Sequence, residues 1–414
     1  MRGTPSMPDQ YLEVHDSQAG GLFQKLESFL SPPRIDRMLK SVARELEIER
    51  GLYLQQWVQP NRNWWIGLRE ARAITKTGQS FRGRVTPRLR NTLESAAQIS
   101  SLYGGMPPHK RIEFRERILG AKYLQPVLTE IQIASHFVQK GCRIAWSIDI
   151  AKSRIPEFIV KRGADEWEVE CKTKGTDAGR RVARPSFYRL VDALGPVICN
   201  LGLQGTCQIT LPNALPAQIR WRDEVVSTIS DMIAKRDTDR RVSDGSSIRL
   251  SLEPQSGAVL TDEEANHIDA SQGINHHVAI YGPIREGRRV DPIVIDVSSE
   301  KPDRYLEDVL ADLREASRQF SGTRPALICC FVPEINSFAG LEKDSALKAM
   351  TIHFFEKHAP TFIHSVIYSS GRQIRLVGHN TYETFFPSLR FHNRRSTAHI
   401  PPDVLIAKLG TATE

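Results

Sequence analysis

Two short segments constrain this chain more than any other: Pro156-Glu157-Phe158 and, one polar turn later, Glu168-Val169-Glu170-Cys171-Lys172. Residues 155–161 and 166–173 are rich in β-branched and aromatic side chains, and Arg162-Gly163-Ala164-Asp165 supplies the turn between them. Together they read as a β-hairpin. Centring the turn on Gly163 and Ala164 pairs Lys161 with Glu166, Val160 with Trp167 and Glu157 with Glu170. Side chains alternate along a strand, so Glu157, Glu170 and Lys172 share one face while Phe158, Val160, Trp167, Val169 and Cys171 form the other.

Directly opposed strand residues have Cβ atoms about 4.5–5.5 Å apart, and like charges there destabilise the pair. A divalent cation would compensate, because Mg²⁺ is held by one or two carboxylates and keeps its other positions for water and substrate phosphate. Lys172 would then stand where it can orient or deprotonate a water attacking a phosphate. The same residues have a plainer reading: an exposed hairpin with a solvated charged face, Lys172 forming a salt bridge to Glu157 or Glu170.

Upstream, Pro126 suits a first helical turn and Gly141 the position after a last one. Residues 126–140 therefore read as a helix with Val127, Ile131, Ala134 and Val138 along its apolar stripe. Glu130 falls on the buried flank of that stripe, where a carboxylate is costly unless paired or bound to metal. Residues 143–148 give a first strand before the hairpin.

With a helix bearing Glu130, three strands, Pro156-Glu157 and the triplet Glu170-Cys171-Lys172, residues 126–175 resemble the PD-(D/E)XK nuclease superfamily, also called restriction-endonuclease-like. Glu157 stands where the family more often has Asp. The resemblance implies an α/β fold, a restriction-endonuclease-like mixed sheet flanked by helices, that hydrolyses phosphodiester bonds of DNA with Mg²⁺ or Mn²⁺. It makes Glu157 and Glu170 metal ligands, the Cys171 backbone carbonyl a further ligand, Lys172 the water-orienting group, and Glu130 a ligand or outer carboxylate. Two other classes stay open. One is a nuclease-like fold without turnover that holds nucleic acid or a protein partner, and the other is a structural α/β protein.

Composition is compatible with such an enzyme. The 414 residues, 40% hydrophobic, suffice for a large core and for two or three domains or one domain with large additions. A net charge of +8 suits a polyanionic partner, as it also suits an ordinary basic protein. The six cysteines form no CxxC pair and no zinc-spaced cluster, so reduced buried thiols in the cytoplasm are expected. No secretory leader, no apolar run of membrane-spanning length, no Walker loop and no GxGxxG are found.

The expected organisation is a helical region over residues 1–105, a nuclease-like core over 106–335 with an insertion at about 236–290, and a C-terminal α/β continuation with a basic tail over 336–414. Between residues 57 and 90, Trp57, Trp64, Trp65 and Phe81 alternate with arginines, either to stack on bases or to anchor a helical core. Lys174, Arg180, Arg181 and Arg184 follow the hairpin as phosphate contacts or as an ordinary surface loop. His276 and His277, being adjacent, would point to opposite faces of a strand and share no metal.

Overall fold

The computed structural model describes residues 16–49, 51–81, 86–120, 123–147, 155–175, 177–261, 276–285, 288–332, 345–369, 373–378, 381–385 and 388–405. They fall into two compact units, one made of Met1–Ala43, Asn61–Thr176 and Leu306–Glu414, the other of Arg44–Pro60 and Asp177–Tyr305.

The first unit begins with helices α1 (Asp16–Leu30), α2 (Pro32–Ile48), α3 (Leu52–Lys76), α4 (Pro87–Tyr103), α5 (Pro108–Gly120) and α6 (Gln125–Gln139), of which α2 and α3 also contribute residues to the second unit. Several of the aromatic residues in this region are core. Trp64 and Trp65 meet edge to face at 4.9 Å, and Phe81 stacks on Phe23 at 5.4 Å. Rings packed this way are not platforms for bases, so the core-anchor reading holds for these three; the Trp57 side chain, Arg82 and Arg84 lie outside the described residues. A Cβ on Gly67 would stand 2.4 Å from the Arg88 carbonyl oxygen, so glycine there permits the close approach of α3 and α4.

A six-stranded mixed sheet completes this unit in the order β1 (Arg143–Trp146), β2 (Phe158–Arg162), β3 (Asp165–Thr173), β11 (Ala326–Phe331), β12 (Ile363–Ser369) and β15 (Ser388–His392). The first three strands are antiparallel, β3, β11 and β12 are parallel, and β15 returns antiparallel. The sheet is accompanied by α9 (Tyr305–Ser317), α10 (Ser345–Lys357) and a hairpin of β13 (Gln373–Gly378) and β14 (Thr381–Phe385). β11 and β12 are buried throughout, as expected for parallel strands covered on both faces. Within the basic tail, Ser388–His392 closes the sheet edge with Ser388 and Leu389 buried. Its five residues are too short for alternation to stand out in the sequence.

The second unit holds a five-stranded sheet in the order β5 (Asp239–Arg241), β6 (Ser247–Pro254), β4 (Leu203–Leu211), β10 (Ile293–Ser299) and β7 (His276–Tyr281), with α7 (Arg184–Asn200), α8 (Ile219–Lys235) and a short ribbon of β8 (Ile284–Arg285) and β9 (Arg288–Arg289). Its core joins Cys207, Ile209, Leu211, Ile293, Ile295 and Val297 of the sheet to Leu194, Ile198, Val225 and Ile229 of the helices. Asp192 of α7 accepts the backbone N–H groups of Tyr53 and Leu54, each at 2.9 Å, which satisfies two of the donors left open at the start of α3.

Two expectations about organisation need correction. Residues 236–290 are not an insertion outside the sheet, because they supply β5, β6 and β7. In β6 only Ile248 and Leu250 are buried while Ser247 and Arg249 face outward, so a half-apolar strand is masked in the sequence by its polar outward residues. Residues 106–335 are likewise not one body: 177–305 join Arg44–Pro60, and strands from beyond residue 336 join the hairpin's sheet. His276 and His277 do point apart, one to Asp296 and the other onto the Phe187 ring. All six cysteines are free thiols, and no described helix is long and apolar enough to cross a membrane. The coarse class is α/β, with mixed sheets flanked by helices.

Candidate active site

The hairpin has the expected register, pairing Phe158 with Val169, Val160 with Trp167 and Lys161 with Glu166. Phe158, Val160, Trp167, Val169 and Cys171 are buried, and the Phe137 ring of α6 lies 5.9 Å from Trp167. The opposite face is buried as well. Glu168 is 1% exposed and Glu170 2%, which removes the reading of a solvated charged surface.

The ladder between β2 and β3 starts at Phe158 and Val169, so Glu157 precedes it and β3 runs on past its partner. Glu157 donates its backbone N–H to the Glu170 Oε2 at 3.2 Å, and the Glu157 charge acts on the Glu170 carboxyl. The backbone geometry of β3 follows from two bonds in the parallel ladder, Glu168 N–H to the Pro325 carbonyl and Lys174 N–H to the Phe331 carbonyl. Even-numbered residues therefore turn their polar backbone groups to β11, and the Cys171 carbonyl faces the side on which β2 has ended.

Lys172 Nζ lies 3.2 Å from Glu170 and 3.0 Å from Glu315 of α9, and Lys174 lies 2.8 Å from Asp312 of the same helix. Glu168 shares this face but is engaged elsewhere, accepting from Ser321 N–H at 2.8 Å and lying 3.4 Å from Arg324. On the α6 side, Glu130 is 4% exposed and is gripped by both terminal nitrogens of Arg117, one at 2.6 Å. Arg117 also lies 3.2 Å from Glu113, which pairs with the buried Lys110 at 2.7 Å. The Lys110 ammonium sits 4.9 Å over the Phe114 ring.

The charges explain one another. Burial, and then the charge of Glu130, hold the Glu157 carboxyl well above the ordinary range. Burial, and then Glu157, push Glu170 up to about 8 despite the attraction of Lys172. Burial opposes the Lys172 ammonium, but Glu170 and Glu315 outweigh it and its pKa is raised. The same balance, with Glu130 as chief partner, raises Arg117. Burial lifts the Cys171 thiol far above its usual value, so only its backbone is available for chemistry. Five carboxyl groups, Glu113, Glu130, Glu157, Glu170 and Glu315, thus share three cations, Lys110, Arg117 and Lys172, and the crowding falls on Glu157 and Glu170, whose affinity for a proton it raises.

Two neighbouring carboxyl groups that burial and mutual repulsion keep from ionising would suit one divalent ion, with Glu157 and Glu170 as protein ligands and the Cys171 carbonyl on the same side. Among the described residues no three His, Cys, Asp or Glu side chains converge closely enough to hold a metal on their own. Glu130 is instead committed to Arg117. Sequence reasoning missed Lys110, Glu113 and Arg117, which lie on one stripe of α5 at spacings of three and four residues, and Glu315 of α9, whose partner Lys172 is distant in sequence. No family model matches the chain, and neither does any curated protein or solved structure.

Proposed function

We propose that this chain is a metal-dependent nuclease of the PD-(D/E)XK type, hydrolysing phosphodiester bonds, most simply of DNA, with Mg²⁺ or Mn²⁺ as cofactor. The observation that carries the reading is the neighbouring pair of half-buried Glu157 and buried Glu170, both with raised pKa, with Lys172 on Glu170 where β3 outruns its partner strand. Carboxyl groups with strongly shifted pKa cluster at functional sites. A bound divalent ion would neutralise charge at the scissile phosphate and lower the pKa of a coordinated water.

The chain's own residues divide the remaining work. Glu157 and Glu170 would hold the ion. Lys172, kept charged by Glu170 and Glu315, would donate to the attacking water or to a phosphate oxygen; with its pKa raised it orients and stabilises rather than acting as base. Glu130, fixed by Arg117, would act as an outer carboxylate. That same Arg117 grip favours a second reading, binding of nucleic acid without turnover, because it withholds one carboxylate from the ion.

The test is cleavage of single- and double-stranded DNA and of RNA by purified protein, with Mg²⁺, Mn²⁺ or EDTA. Metal-dependent cleavage lost in Glu170→Ala and Lys172→Ala supports the enzyme. Cleavage undiminished in both variants places the chemistry elsewhere, and salt-sensitive binding without cleavage by wild type selects the second reading.

A further inference from the structure

Two helices of the second unit wall a cavity of about 320 Å³. Ser186, Arg189 and Leu190, on one face of α7, line one side, and Ile219, Trp221 and Arg222, from the first turn of α8, line the other. Cavities that hold small molecules begin at roughly 300 Å³, so this one has room for a compact organic ligand.

Its walls are of two kinds. Leu190 is buried, and Trp221 donates its indole N–H to Asp244 at 2.8 Å, which leaves the flat apolar part of the ring for the cavity. Ile219 is 66% exposed, an unusual position for a branched apolar side chain beside a cavity.

The polar wall is short of acceptors. Arg222 Nε is buried yet makes no hydrogen bond, and the carboxylate of the adjacent Asp223 lies 3.7 Å away, beyond hydrogen-bonding reach. A buried guanidinium N–H without an acceptor is costly, and an anion in the cavity would supply one. Among the described residues the Ser186 hydroxyl and the Gln218 amide, which also line the cavity, make no hydrogen bond either. Arg189 gives one terminal nitrogen to Glu49 at 3.0 Å. Neighbouring carboxylates are engaged elsewhere: Glu49 by Arg189, Asp244 by Trp221, and Glu224 by the Ser243 N–H at 3.2 Å. No side chain caps α8, so the positive end of its dipole adds to the two arginines.

We propose that this cavity binds a phosphate monoester with a flat apolar body, the phosphate held by Arg222 and Arg189 and the body lying against Trp221, Leu190 and Ile219. Donors from two arginines, a serine and a glutamine suit the three terminal oxygens of a phosphate better than the two of a carboxylate. Arginine forks bind such oxygens in paired, charge-assisted hydrogen bonds. The site is independent of the metal chemistry proposed for the first unit.

The experiment is calorimetric titration of the full chain, in EDTA and at constant ionic strength, with phenyl phosphate, adenosine 5′-monophosphate, inorganic phosphate and adenosine. Both esters should bind saturably, inorganic phosphate more weakly because it lacks the body, and adenosine not measurably. Arg222→Gln should weaken ester binding about tenfold or more, since it removes a charged hydrogen-bonding partner. Ile219→Glu should weaken it at least as much by repulsion; its site is exposed and starts a helix, where a carboxylate favours the fold. Arg249→Gln, on the outward face of β6, should bind as wild type does. Melting curves report whether each variant is folded. The assignment is overturned if wild type binds neither ester, if inorganic phosphate or adenosine binds as tightly as the monophosphate, or if ester binding is unchanged in Arg222→Gln and Ile219→Glu.

Discussion

The two sheets of this protein treat buried surface in opposite ways. In the five-stranded sheet, Cys207, Ile209, Ile293, Ile295 and Val297 are all fully buried and apolar, and the helices above them are apolar too. In the six-stranded sheet, β3 buries Glu168 and Glu170 on one face and Trp167 and Val169 on the other. The units differ in charge as well: 38 Lys and Arg against 27 Asp and Glu in the first, 18 against 21 in the second, so the first carries +11 and the second −3. Burying apolar area stabilises a fold at about 25 cal/mol per Å², whereas buried carboxylates oppose it unless paired. The second sheet is built for stability, and the first accepts strain at one place.

The sharpest way to break this comparison is to remove the carboxylate that the first sheet buries. Glu170→Ala should lower Mg²⁺-dependent cleavage by about 10²–10³-fold or more while leaving the metal-free melting temperature nearly unchanged, measured by paired cleavage and melting assays. The reciprocal change, Ile295→Ala in the second sheet, should cost about 2–5 kcal/mol in denaturant unfolding, as for other fully buried large-to-alanine substitutions. Arg117→Ala should cost less, about 2–3 kcal/mol, because it leaves Glu130 buried and uncompensated although Arg117 itself is one-third exposed. Adding Glu130→Gln to that variant should recover most of the loss.

A further effect concerns pH. Glu170 has a folded pKa of about 8 against an ordinary value of 4.5, so between those limits the folded state holds more protons than the unfolded state. Metal-free stability must then fall as pH rises through this window. Glu170→Gln should flatten the slope, and melting curves taken from about pH 5 to pH 8.5 read it directly.

Much of the site was legible before the fold. Strand alternation alone placed Trp167 and Val169 opposite Glu168 and Glu170, and the turn at Gly163 fixed the register. The helix carrying Glu130 was marked by Pro126 and by Gly141, whose φ of +77° matches a helix stop. What stayed hidden depends on contacts distant in sequence: Arg117 against Glu130, and Glu315 against Lys172. The strands β5 and β6 were missed because their outward residues are charged and only Ile248 and Leu250 mark the inner side of β6.

The most direct test of the central claim is calorimetric titration of Mn²⁺ into the metal-free protein at pH 7, repeated in buffers of different ionisation enthalpy. A site built on Glu157 and Glu170 predicts about one ion per chain and net proton release, because a carboxyl with a pKa near 8 must give up its proton to become a ligand. Both signals should vanish in the Glu157→Gln, Glu170→Gln double variant. Binding that is absent in wild type, or that persists unchanged in the double variant, would contradict the account.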